Sequence, residues 1–197
     1  MGSTAPAAPP GIDPAALSRA MIEDVAELLH GLAQVDSLLI CGPGRAEALT
    51  RLVWPEVPVV ERDAADVAAA LAEATGRGYD EAVVLASDVP DLPQMLLGKL
   101  FQALGKSPVA VLPAQDGTAV ALACRLPAPP WMLASGFDEP TIVADLRAAA
   151  GQPRQIAVTP AWHRIRTASD VSHLDPGLEG WERTRALLGG VTPRRGE

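Results

Sequence analysis

Cysteine is scarce: Cys41 and Cys124 are the only two in 197 residues. Each lies inside an apolar, strand-like run, and they form neither a C-x-x-C nor any metal-ligand spacing. Both read as small buried hydrophobes, and a reduced compartment is expected. Basic residues are also few, with 16 Lys+Arg against 24 Asp+Glu and a net charge of −8. The only dense basic group is Arg194-Arg195 at the tail. Nucleic acid and anionic membrane surfaces are therefore excluded as expected partners, since both need clustered cations. No run approaches the roughly 18 apolar residues of a membrane span. The first eleven residues lack the basic and apolar regions of a signal peptide, so a cytoplasmic location is expected. What is present is a globular composition, 48% apolar and 20% charged. That excludes disorder for most of the chain and suits one domain with a real core.

The organisation reads as a flexible leader over residues 1–12, a single domain over 13–191 and a frayed tail over 192–197. Asp13-Pro14 is an N-cap and first-turn pair, and Leu17, Met21, Val25, Leu28, Leu29 and Leu32 follow at helical spacing. The run 35–41 is a strand closed by Gly42-Pro43-Gly44, and a short helix covers 45–53. Residues 57–60 are extended, with Pro58 demoting them to an edge or a strand start. Asp63 is expected to cap a helix over 64–74. Residues 81–86 show no alternation, as for a central parallel strand buried on both faces. Asp91 is expected to cap a helix over 92–104, with Gly105 just past its end. Apolar runs at 109–112 and 118–124 flank Gln115-Asp116-Gly117, a hairpin signal. A helix over 138–150, a strand over 155–158, a Thr167-x-x-Asp170 capping box and a helix over 179–188 complete the pattern. Alternating strands and helices with one late hairpin predict a mostly parallel α/β sheet whose ligands bind beyond the carboxyl ends of the strands.

Chemistry concentrates at Ser87-Asp88-Val89-Pro90-Asp91, directly after the apolar strand. A carboxylate there can hold a hard cation such as Mg²⁺ or a ribose hydroxyl. Asp88 has no capping task in the local sequence, so a functional and a structural role both stand open. Asp91 reads either as the cap of its helix, the commoner role, or as a second ligand. Gly42-Pro43-Gly44 lacks the spacing of a phosphate-binding loop and reads as a tight strand-to-helix turn. There is no G-x-S-x-G elbow. His30 reads as a helix boundary residue and His173 as a helix-terminal cation. His163, leading His163-Arg164-Ile165-Arg166, reads as a partly exposed loop histidine.

Three segments, residues 78–92, Leu112 to Gly117 and Trp162 to Val171, are similar in order and spacing to a bacterial family of GT-A-like glycosyltransferases, kin to the molybdenum-cofactor and phospholactate nucleotidyltransferases. The resemblance spans residues 13–175, and its best motif is Ser-Asp-Val-Pro-Asp-Leu against the family's G-T-D-x-P-D-L. It implies a three-layer α/β/α nucleotide-diphospho-sugar transferase fold with a Rossmann-like sheet. Asp88 matches the family's metal-binding aspartate, and Mg²⁺ or Mn²⁺ would serve an active member. The ligand-binding candidates it implies are Asp88 with Asp66, Asp116, Gly117, His163, Arg164 and Arg166, the residues that stand at the family's motif positions. The departures are as telling. The family's first strand and its basic loop, P-x-P-G-x-x-K-T-R, have no counterpart ahead of the first helix. The family's W-Y-D-V-D-T becomes Trp162-His163-Arg164-Ile165-Arg166-Thr167, with both carboxylates replaced by arginine.

Two carboxylates on separate strand ends repel unless a divalent cation joins them, and an arginine in place of one supplies the charge itself. The expectation is that Arg166, ahead of Arg164, points toward Asp88 in the volume a metal would use. Asp88, Asp91 and Arg166 are the catalytic candidates. Two functions compete: a degenerate member acting as a binding or interaction module, and a working glycosyl- or nucleotidyltransferase using a nucleotide-activated donor. The expected small-molecule partner is a nucleotide or nucleotide-sugar. A missing first strand would leave an unpaired edge or gap, unless the remaining strands close up, and homodimerisation is one expected way to cover it.

Overall fold

A computed structural model describes residues 8–133 and 136–189; the leader's first seven residues and the expected tail lie outside them. Helix α1 (Pro14–His30) starts where its cap dictates, with the Asp13 carboxylate accepting from the Ala15 and Ala16 amides. Strand β1 (Leu39–Cys41) leads through a tight turn with Gly44 at φ 74° into the short α2 (Ala46–Thr50). Strand β2 (Val59–Glu61) pairs only with β1, the edge position that Pro58 indicates. Helix α3 (Val67–Gly76) begins three residues later than expected: Asp66, not Asp63, is the cap, accepting from the Ala69 amide at 2.8 Å. Both aspartates are good caps ahead of alanines, so local propensity does not choose between them.

Strand β3 (Glu81–Leu85) is followed by a turn, and α4 (Gln94–Leu104) starts two residues later than expected, with Pro93 and not Asp91 at its cap position. The hairpin of β4 (Val109–Pro113) and β5 (Ala119–Arg125) forms as expected around Asp116-Gly117. Helix α5 (Ile142–Ala150) starts four residues after Asp138, because residues 137–140 are held along β5 by the Ala119 amide bonding the Phe137 carbonyl. Strand β6 (Ile156–Val158) runs parallel to β4. The predicted capping box is present on the 3-10 helix Ala168–His173, and α6 (Glu182–Gly189) closes the chain. The carboxylate of Asp24, buried in α1, accepts from the Arg183 and Thr184 amides and so ties the last helix to the first. Burial pushes that carboxyl above its usual pKa, against the opposing bonds from Thr184 and Arg183.

The four-stranded sheet has the order β3-β5-β4-β6, with β5 antiparallel to both neighbours. Helices cover both faces. On one side Val25 of α1 and Leu96, Leu97, Leu100 and Leu104 of α4 pack against Ala110, Leu112, Ala121 and Ala123. On the other, Val67 and Leu71 of α3 and Ile142 and Leu146 of α5 pack against Val109, Val111, Leu122 and Cys124. This is the three-layer α/β/α arrangement. One expectation needs correction: β3 is not a central parallel strand. It is the edge of its sheet, antiparallel to its one neighbour and half-buried, whereas β4 and β5 supply the fully buried centre. An apolar strand packed by helices on both faces reads the same in sequence whether one edge or two carry a neighbour. The strands do not close up: β1 and β2 remain a separate parallel pair. Among the described residues no helix is long and apolar enough to cross a membrane.

Candidate functional site

The carboxyl ends of β3 and β5's neighbour β4 are bridged by the segment after β6. Trp162 exchanges backbone bonds with Pro113 and Gln115, extending the β4 ladder, and the Ile165 amide then bonds the Asp88 carbonyl at 2.8 Å. The segment thus crosses the sheet edge from β4 to β3 and carries the two arginines over Asp88.

Arg164, not Arg166, makes the pair. Its Nε and Nη2 donate to the two Asp88 carboxylate oxygens, each at 2.9 Å, in bidentate geometry. Its Nη1 donates to the Ala119 carbonyl at 3.1 Å and to Asp138 Oδ1 at 2.9 Å. The guanidinium therefore lies between two carboxylates from different elements, with only 9% of its side chain exposed. Burial alone would lower its pKa, but the bonds and charges of Asp88 and Asp138 outweigh it and hold the pKa above the ordinary arginine value. Arg166 sits further out, 3.4 Å from Asp116 and 3.5 Å from Asp138. Residues 164 and 166 point to the same side of an extended segment, and the Ile165–Asp88 backbone bond decides which one reaches the buried carboxylate.

Asp116 and Gly117 form the hairpin tip. Asp116 Oδ1 accepts from the Thr118 amide and hydroxyl. Burial works against its charge, but those bonds and the arginine charges prevail and hold the carboxyl below its usual pKa. Gly117 has φ 88°, and a Cβ there would lie 2.3 Å from the Pro140 carbonyl oxygen. Its role is close approach of two backbones. Asp66 is a helix cap whose carboxylate makes no bond to this cluster.

Asp91 is not a helix cap; its buried carboxylate accepts from His163 Nε2 at 2.9 Å, from Trp162 Nε1 at 3.3 Å and from the Asp175 amide at 3.3 Å. His163 is not an exposed loop residue but is buried, stacked on Trp162 at 4.7 Å between ring centroids and 6.0 Å from His173. This cluster clamps the crossing segment to the start of α4. Alternation along the segment sends His163 inward, away from Arg164, which sequence alone does not reveal. Asp138 is the site residue that sequence reasoning missed; Asp138-Glu139-Pro140 reads as a helix start and nothing local marks it as an arginine partner.

The fit of a divalent cation can be tested on this geometry. Both Asp88 oxygens are engaged by guanidinium N–H groups, and Asp138 faces the same guanidinium. Among the described residues no three His, Cys, Asp or Glu side chains converge as a ligand set. The residues present do not fit Mg²⁺ or Mn²⁺ at Asp88.

Three solved structures share this architecture. A putative nucleotide-diphospho-sugar transferase from Desulfovibrio desulfuricans G20 is 22% identical with a TM-score of 0.70, over 90% of this chain and 85% of that one. A 4-diphosphocytidyl-2C-methyl-D-erythritol synthase from Anaerococcus prevotii DSM 20548 is 13% identical with a TM-score of 0.60, over 77% and 82%. A CMP:2-keto-3-deoxy-manno-octonic acid synthetase in complex with CTP is 14% identical with a TM-score of 0.51, over 86% and 88%. At these identities the likeness establishes the nucleotide-diphospho-sugar transferase type of fold. No curated protein matches the sequence. The model of the family of uncharacterized proteins conserved in bacteria (DUF2064) matches residues 25–137, more than half of the chain and the part that carries β1 to β5, and the chain belongs to that family.

Proposed function

We propose that this chain uses a transferase-type fold for binding or subunit interaction and has lost group transfer. One observation carries the reading: the Arg164 guanidinium lies between Asp88 and Asp138 and engages both oxygens of Asp88. Transfer from a nucleotide-activated donor requires positive charge placed to stabilise a diphosphate leaving group. Here that charge is consumed internally by carboxylates, and each Asp88 oxygen already accepts from the guanidinium. Fold likeness does not oppose this, because function resides in the site and not in the architecture. The half-exposed Arg166, held by two longer ion pairs, is the cation best placed to meet a phosphate without metal, so a nucleotide or nucleotide-sugar remains the ligand class to test.

The test pairs calorimetric titration of MnCl₂ with a thermal-shift panel of CTP and UDP-glucose, with and without manganese. Wild-type protein is expected to bind no Mn²⁺ at micromolar affinity and to show no manganese-dependent shift with either nucleotide. In Arg164→Ala, Asp88 loses its cation and Asp138 keeps only its 3.5 Å pair with Arg166, and Mn²⁺ is expected to raise the variant's Tm selectively. Micromolar Mn²⁺ binding by the wild type, or manganese-dependent release of UDP from UDP-glucose, would overturn the proposal.

A further inference from the structure

Arg164 and Arg166 project to one side of the crossing segment, and both guanidinium groups reach the same atom. Arg164 Nη1 donates to Asp138 Oδ1 at 2.9 Å, and Arg166 Nη2 stands 3.5 Å from that oxygen. Two guanidinium groups converging on one point repel unless an anion lies between them, and here the anion is a side chain of the protein itself. A negatively charged oxygen flanked by paired guanidinium N–H groups is also how arginines hold a phosphoryl group. The corner contains an anion seat, and Asp138 fills it.

Three carboxylates surround the two arginines, and they are not held alike. Asp88 is 19% exposed and accepts two guanidinium bonds at 2.9 Å. Asp116 keeps its place through Thr118, whose amide and hydroxyl both donate to its Oδ1. Asp138 is 66% exposed, and among the described residues its carboxylate meets only the two arginines. Its backbone is fixed independently of that carboxylate. The Phe137 carbonyl accepts from the Ala119 amide, and the Pro140 carbonyl lies where a side chain on Gly117 would stand. Rotation of the Asp138 side chain alone thus vacates an Nη1 donor of Arg164 and an Nη2 donor of Arg166. The seat keeps its shape, because Arg164 stays locked on Asp88 and the Ala119 carbonyl, and Arg166 beside Asp116.

Charge decides what can enter. With Asp138 in the seat, the three carboxylates outnumber the two guanidinium groups and leave one net negative charge. With Asp138 turned out to solvent, the pairs of Arg164 with Asp88 and Arg166 with Asp116 leave the corner neutral. A carboxylate ligand brings no more charge than the tethered one it must displace. A phosphoryl group brings up to about two negative charges and three acceptor oxygens, enough to use both vacated donors at once.

We infer, resting on the binding role proposed for this corner, that Asp138 is a tethered competitor for a ligand's phosphoryl group, which binds without metal between Arg164 and Arg166 once that side chain turns away. Only the fraction of molecules with Asp138 turned out is competent, so the affinity of the wild type is reduced by that fraction.

The test is calorimetric titration of the full chain with sodium pyrophosphate and, in parallel, with UDP and with sodium acetate, all in EDTA. Asp138→Asn and Asp138→Ser each remove the charge from this exposed position. Pyrophosphate is expected to bind both variants at least ~10-fold more tightly than wild type, from the lost competitor and the lost charge together. Adding Arg166→Gln to Asp138→Asn should return the affinity to the wild-type value or below. Glu139→Gln removes an equal charge from the neighbouring exposed position and should change the affinity less than about 2-fold. A like gain for UDP supports the inference and assigns the group to a nucleotide, whereas a gain for pyrophosphate alone supports it with a free phosphate as ligand. No gain in either Asp138 variant, an equal gain in Glu139→Gln, or an equal gain for acetate would overturn it. Micromolar Mn²⁺ binding by the wild type would refute the loss of transfer instead, and a gain measured in EDTA would still support the competitor.

Discussion

Replacing Arg164 by methionine keeps the length and apolar stem of the side chain and removes the charge from between Asp88 and Asp138. The Asp88 carboxylate loses both of its guanidinium donors and the Ala119 carbonyl loses one. Removing one partner of a buried pair costs about 3–5 kcal/mol, because the other charge stays buried and uncompensated. Asp88 retains 19% exposure and Asp138 is two-thirds exposed, so water offsets part of the loss and the lower end, about 3 kcal/mol, applies. At this chain length that corresponds to a drop in Tm of roughly 6–12 °C. Thermal and urea unfolding followed by circular dichroism would measure it. The informative comparison is the double variant Arg164→Met with Asp88→Leu, which removes the stranded carboxylate and should regain at least half of the deficit. A single variant within about 2 °C of wild type, or a double variant no better than the single, would refute the account of the pair as a charge held in balance.

Gly117→Ala combines a left-handed backbone with a Cβ that would meet the Pro140 carbonyl at 2.3 Å, so a loss of about 2–4 kcal/mol is expected by urea denaturation. Asp116, whose carboxyl is held below its usual pKa, contributes stability that is present above the unfolded value and lost as pH falls through the folded one. Asp116→Asn should therefore flatten the stability–pH curve below about pH 4 and leave the neutral region's slope unchanged. Burial pushes the Cys124 thiol up to about 11, and Cys41 is shifted the same way by burial and by the Glu61 charge. Neither thiol should react with DTNB at pH 8 in native protein, and both should titrate in guanidinium; rapid native labelling of Cys124 would contradict its placement in the core.

Local chemistry settled a large part of this molecule from the sequence. Asp13-Pro14 before a 3.6-residue apolar period determined where α1 begins, Asp116-Gly117 between apolar runs determined the hairpin, and Thr167 with Asp170 determined a capping box. These features depend on groups within a few residues of one another, so their energetics are written in the order of the chain. The α/β class followed from the same alternation, and the family resemblance supplied the type of fold. Which strands became neighbours did not follow, since a run such as Glu81–Leu85 is equally apolar with one paired edge or two. Nor did the choice of Arg164 over Arg166, the inward turn of His163 onto Asp91, or the recruitment of Asp138. Each of those contacts joins residues at least 26 positions apart. Each depends on how one extended segment crosses the carboxyl edge of the sheet, a geometry set by the packing of helices on both faces and by no local preference.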